Sequence, residues 1–130
     1  MKTVFCACAI LENKDSEILI CSRTQKDYLK SYWEFPGGKL MNGENFYQAI
    51  KRELFEELSI NILKFEHFCF TKYSYSKFNL IMHTFKINKW HGNIISLDGE
   101  KLKWVNKKVL KKSKLLSGNL EIVKSLFLKN

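Results

Sequence analysis

The chain is predicted to fold as one α/β domain, a sandwich with a mixed sheet between helices. Three observations predict it. Strand-length runs rich in β-branched and aromatic residues recur along most of the 130 residues. Helical periodicity is confined to one stretch near the middle and one at the C-terminus. The only proline, Pro36, falls with a Gly-Gly pair in a single loop. A chain with many strands and few helices buries both by packing helices on the faces of a sheet. Hydrophobic content of 45% with 27% charged residues fits one globular domain, residues 1–130, and excludes disorder.

The elements follow in order. "TVFCACAIL" (3–11) and "EILICSR" (17–23) read as strands around the polar turn "ENKDS". "YWEFPGGKLMNGE" (32–44) reads as a loop. From Asn45 to about Ser59 the pattern turns helical, with Asn45 as N-cap and Gln48 three residues on as a variant capping box. "KFEHFCFTKYSY" (64–75) and "FNLIMHTFKINKW" (78–90) read as strands joined by a turn near Ser76 and Lys77. "KLKWV" (101–105) is a short strand, and "NLEIVKSLFL" (119–128) a closing helix that starts at Asn119.

Composition narrows the function classes. The formal net charge is +9, but the charge is almost all lysine scattered along the chain. The densest run, "KLKWVNKKVLKKSK" (101–114), is most simply a solvated helix face and loop, so nucleic acid is not the expected partner. Only Arg23 and Arg52 supply a guanidinium. Cys6, Cys8, Cys21 and Cys69 lack C-x-x-C spacing and sit in apolar runs, which predicts buried free thiols in a reducing compartment. No segment reaches the length of a membrane span, and charge returns after the short apolar run 4–11 without a cleavage site, so a cytoplasmic monomer is expected.

"KRELFEELSI" (51–60) sets three acids within one and a half helical turns of a basic chain. Like charges at these spacings repel by roughly 0.2–0.5 kcal/mol per pair. On a helical wheel Phe46, Ile50, Leu54 and Leu58 form an apolar stripe. Glu57 falls at its margin, Glu53 flanks that edge, and Glu56 lies one step further out. A solvated acidic face with Arg52 pairing Glu56 accounts for Glu56 but not for Glu53 and Glu57. A divalent cation accounts for all three, and oxygen-only ligands favour Mg²⁺ or Mn²⁺ over zinc. The loop ahead of the helix adds Gly37 and Gly38, where bare backbone can approach a ligand, and Glu44.

Gly38, Glu44, Arg52, Glu53, Leu54, Glu56, Glu57 and Ile60 resemble the Nudix box, Gly-x5-Glu-x7-Arg-Glu-U-x-Glu-Glu-x-Gly-U, where U is bulky and aliphatic. Ser59 replaces the glycine near the helix end; if that position needs φ > 0, serine costs about 1 kcal/mol. With "WEFPGGK", the chain is similar to MutT-type 8-oxo-dGTP diphosphatases over nearly its whole length. The resemblance implies a Nudix α/β/α sandwich and Mg²⁺-dependent hydrolysis of 8-oxo-dGTP to 8-oxo-dGMP and pyrophosphate, clearing a damaged nucleotide from the pool, with Mn²⁺ as an alternative ion. It places metal on the Gly37 carbonyl, Glu53, Glu56, Glu57 and an additional acid, Asp98, with Glu100 as its substitute. Glu53 or else Glu44 activates the water, and Arg52 orders the glutamates. Arg23, Tyr28, Glu34, Phe35, Pro36, Gly37, Gly38, Lys39 and Asn119 are implied to contact substrate, Arg23, Phe35 and Asn119 at the base. The competing readings are a Nudix hydrolase for another nucleotide, such as a pyrimidine triphosphate or dinucleoside polyphosphate, and a non-catalytic nucleotide- or RNA-binding domain.

Overall fold

The computed structural model describes residues 1–22 and 32–128. The first strand, β1 (Lys2–Leu11), organises the rest because both of its faces are buried towards its end. Ala7, Ala9 and Leu11 enter one core, while Cys8 and Ile10 enter the other. This is the period-two alternation of a strand sandwiched between two layers. β2 (Ile18–Ser22) splits in the same way, Leu19 and Cys21 to one side and Ile18 and Ile20 to the other.

The remaining elements are β3 (Trp33–Glu34), β4 (Gly37–Lys39), α1 (Phe46–Leu58), β5 (Asn61–Ser74), β6 (Phe78–His91), β7 (Leu102–Val105), α2 (Lys107–Lys112) and α3 (Ser117–Leu128). β1 pairs in parallel with β6, from Lys2 opposite Phe78 to Leu11 opposite Ile87, and antiparallel with β4. β5 completes a mixed sheet of order β4-β1-β6-β5. A second sheet, β3-β2-β7, is antiparallel throughout. α1 covers one core with Ala49, Ile50, Leu54 and Leu58. α2 and α3 cover the other with Leu110, Ile122, Val123 and Leu126. The expected α/β sandwich with a mixed sheet is thus borne out, although the strands divide into two sheets. Among the described residues a bridge from Glu12 to Ile18 links the end of β1 to β2, and the two strands lie in separate sheets.

Two short strands went unread in the sequence, and α2 falls within the run 101–114 expected as a solvated helix face and loop. β3 and β4 are too short for any periodicity, and they exist because β2 and β1 offer edges to pair with. α2 begins at Asn106, whose side chain accepts the Val109 N–H at 2.8 Å. α3 starts at Ser117, two residues before the expected Asn119. The β5–β6 turn falls where expected, closed by the Tyr75 N–H donating to the Phe78 carbonyl at 2.9 Å. The capping box of α1 is complete: the Gln48 N–H donates to Asn45 and the Asn45 N–H to Gln48, both at 2.8 Å. The four cysteines are free thiols, but only Cys8 and Cys21 are buried; Cys6 and Cys69 are half-buried. Among the described residues, no helix is long and apolar enough to cross a membrane.

Candidate active site

Pro36 seats the glycine loop on β1 by accepting the Ala9 N–H at 2.9 Å. Gly37 follows with φ +152°, and a Cβ there would run into the Ala7 carbonyl. At Gly38 a Cβ would lie 2.5 Å from Glu53 Oε1. Only glycine lets the carboxylate of α1 come down onto β4.

Arg52 gathers the acids. Its Nε and Nη2 donate to the two oxygens of Glu44 at 2.7 and 3.0 Å, a forked pair. Its Nη1 reaches Glu53 at 2.8 Å and Glu56 at 2.9 Å, and Nη2 also donates to the Lys39 carbonyl at 3.0 Å. The Met41 N–H adds a 2.7 Å bond to Glu44. The Arg52 fork and this amide hold the Glu44 carboxyl below the usual carboxylate range. One guanidinium therefore ties the loop before the helix, the helix and β4 together.

Glu57 is the exception: it takes no hydrogen bond from Arg52. One of its oxygens, Oε2, is buried without a hydrogen-bond partner. Burial, a shared hydrogen bond with Glu53 and the charges of Glu53, Glu100 and Glu34 push its carboxyl up to about 10. An orphaned carboxylate oxygen beside a second carboxylate is costly unless a cation or a proton joins it. Among the described residues no three acid, His or Cys side chains are gathered closely enough to hold a metal ion as they stand. Arg52 takes Glu44, Glu53 and Glu56. The donor set still fits a hard divalent cation: carboxylate oxygens of Glu53 and Glu57, the unmatched Oε2 among them, beside the bare backbone of Gly37 and Gly38.

Asp98 and Glu100 differ in placement. Asp98 is exposed, whereas Glu100 is half-buried and within electrostatic reach of both Glu53 and Glu57. Burial, Asp98 and Glu53 raise its carboxyl.

Next to the acids lies a cleft. A cavity of about 70 Å³ is lined by Glu34, Phe35, Gly37, Gly38, Asn119 and parts of β1 and β6. Asn119 is buried, and its Oδ1 accepts the Phe35 N–H at 2.9 Å, so the residue is not the N-cap of α3. Cys6 is shared with a larger cavity, about 570 Å³, walled by Val4, Tyr73, Tyr75, Phe78 and Leu80 and edged by Lys39. Tyr75 and Phe78 stack with centroids 4.9 Å apart, and the Tyr75 hydroxyl accepts the Gly118 N–H at 3.2 Å. Aromatic walls on this scale suit a planar ring.

The structure thus brings together Glu34, Phe35, Pro36, Gly37, Gly38, Lys39, Glu44, Arg52, Glu53, Glu56, Glu57, Asn119 and, at the margin, Glu100. Arg23 and Tyr28 lie outside the described residues. Val4, Cys6, Tyr75, Phe78 and Leu80 went unnoticed because strand alternation already explained them. The aromatic density of residues 73–78 was the available signal.

The NUDIX domain family model matches residues 2–126. An 8-oxo-dGTP diphosphatase of Buchnera aphidicola subsp. Schizaphis graminum is 39% identical over 113 residues, 87% of this chain and 85% of that protein. A CTP pyrophosphohydrolase of Escherichia coli is 31% identical over 104 residues, 80% of this chain and 76% of that protein. A solved structure described as MutT from Aliivibrio salmonicida and Vibrio cholerae superposes with a TM-score of 0.83 at 27% identity, covering 99% of this chain and all of that one.

Proposed function

The chain belongs to the NUDIX domain family, and on that premise we propose that it hydrolyses 8-oxo-dGTP to 8-oxo-dGMP and pyrophosphate with Mg²⁺. The observation that carries this reading is the buried, unmatched oxygen of Glu57 beside Glu53, whose carboxylate sits against Gly38 in the lining of the small cavity. The relative 39% identical over 87% of the chain bears the name of this activity. Members of the family use a divalent metal; Mg²⁺, or Mn²⁺ in its place, would offset phosphate charge here and orient the attacking water.

Glu53, Glu57 and the Gly37 carbonyl would hold the ion, with Glu56 offering the carboxylate oxygen that Arg52 leaves over. Glu100 is the better-placed additional acid, ahead of the exposed Asp98. Glu53 accepts the proton of the water that attacks phosphorus, and the anhydride bond breaks to release pyrophosphate. Glu44 is engaged on both oxygens and serves as an anchor for Arg52 rather than as a base. Arg52 keeps Glu53 aimed at the cleft. Lys39, exposed at the cleft edge, meets phosphate. Phe35 and Asn119 bound the inner end, where the Asn119 side-chain NH₂ meets the base edge.

The CTP pyrophosphohydrolase relative, 31% identical over 80% of this chain, supports a second reading in which a pyrimidine triphosphate occupies the same cleft. Pyrophosphate release from 8-oxo-dGTP, dGTP and CTP with Mg²⁺ separates the two. A kcat/KM for 8-oxo-dGTP far above both others is expected; equal values for 8-oxo-dGTP and dGTP would end the specificity claim, and a CTP preference would favour the second reading.

A further inference from the structure

α1 ends at Leu58, and Ser59 turns the chain with φ 61° and ψ 34°, the left-handed region. The cap satisfies the carbonyls of Leu54 and Phe55 through the Ser59 and Ile60 amides. A helix leaves its last four carbonyls without partners of its own, so those of Glu57 and Leu58 need donors from elsewhere. The segment after β6 supplies both. The Ile95 N–H donates to Leu58 at 3.0 Å and the Leu97 N–H to Glu57 at 2.9 Å. The side chains of Ile95 and Leu97 are each 54% exposed, so the segment is fastened by its backbone, with the half-buried Ile94 packed on the α1 core.

Gly92 makes the approach feasible. Its φ is +103°, and a Cβ there would lie 2.9 Å from the Ser59 carbonyl oxygen. The same segment then leads directly into Asp98 and Glu100.

We propose that residues 92–97 form a positioning strap for the metal-binding carboxylates, with Gly92 as its positioning residue. Serine at 59 strains the end of α1, and fraying there displaces Glu57 first. The strap offsets this by capping Glu57 itself, and it fixes Glu100 relative to Glu57 in the same stroke. The proposal rests on Glu57 as a metal ligand.

Two variants test it, Gly92→Ala, which pushes on Ser59, and Leu97→Pro, which removes the amide that caps Glu57. Mn²⁺ affinity is read by paramagnetic titration and backbone order by amide hydrogen exchange. In each variant the Mn²⁺ Kd is expected to rise about tenfold or more, the usual cost of losing a ligand's supporting contact. Exchange accelerates at 58–60 and 94–96 but not in β1 and β6, and KM for 8-oxo-dGTP stays near wild type. Unchanged Mn²⁺ affinity in either folded variant overturns the strap, as does accelerated exchange throughout the molecule. Absence of Mn²⁺ binding in the unmodified protein overturns it too. If that protein binds Mn²⁺ yet hydrolyses no nucleotide, the proposed activity fails while binding and exchange still decide the strap.

Discussion

Ser59 carries a measurable cost. A serine in the left-handed region is strained by about 1–2 kcal/mol, of which glycine recovers part after its own larger loss of entropy. Ser59→Gly is therefore expected to raise unfolding free energy by about 1 kcal/mol in urea denaturation, with kcat unchanged. Glu57 makes a pH prediction. Its folded carboxyl lies near 10 against an ordinary 4.5, so the folded state holds the proton that the unfolded state gives up. The stabilising contribution is complete below about 4.5 and is lost as pH rises from there towards 10. Urea midpoints in EDTA should thus fall between pH 6 and pH 9, and Glu57→Gln should flatten that slope. Mg²⁺ must displace the proton, so its apparent affinity should climb over the same interval.

Contact between α1 and β4 decides whether Glu53 is aimed. A methyl group at 38 would meet Glu53 Oε1, the mobile end of a side chain, so the protein should accommodate it by moving the carboxylate away from Arg52. Gly38→Ala is expected to lower kcat by roughly 10²-fold, within the range for a displaced general base, while KM and thermal midpoint change little. A large fall in thermal midpoint with kcat unchanged would mean that the glycine serves packing alone. The capping box and the buried Ile50, Leu54 and Leu58 fix where α1 starts and which way it faces. Each such side chain contributes about 1.5–3 kcal/mol by burial, more than the repulsion among the glutamates. Acids can therefore crowd one flank of this helix without unfolding it.

At the scale of the molecule, Asn119 joins parts of the chain 84 residues apart, α3 and the strand-loop segment at Phe35. Asn119→Ala leaves the Phe35 N–H buried without an acceptor, a loss of about 1–3 kcal/mol measurable by denaturation. It should also raise KM for 8-oxo-dGTP, because the same residue lines the cavity. Cations stabilise the whole fold by mass action: millimolar Mg²⁺ should raise the thermal midpoint, and Glu53→Gln with Glu57→Gln should remove most of that rise.

The sequence by itself determined the α/β class, the bounds and facing of α1, the β5–β6 turn and the pairing of Arg52 with Glu56. All of these are local: periodicity, capping and i, i+4 spacing are written within a few residues. It also showed serine at a position where φ proves to be positive. Only the tertiary structure decided that the strands form two sheets, that β3 and β4 exist, and that Asn119 binds Phe35 rather than capping a helix. It alone set Tyr75 and Phe78 along the cleft wall, the half-buried Glu100 within electrostatic reach of Glu57, and Gly92 against Ser59. Each of these depends on which distant backbone edge or buried polar group a residue meets, and that is settled when the layers pack.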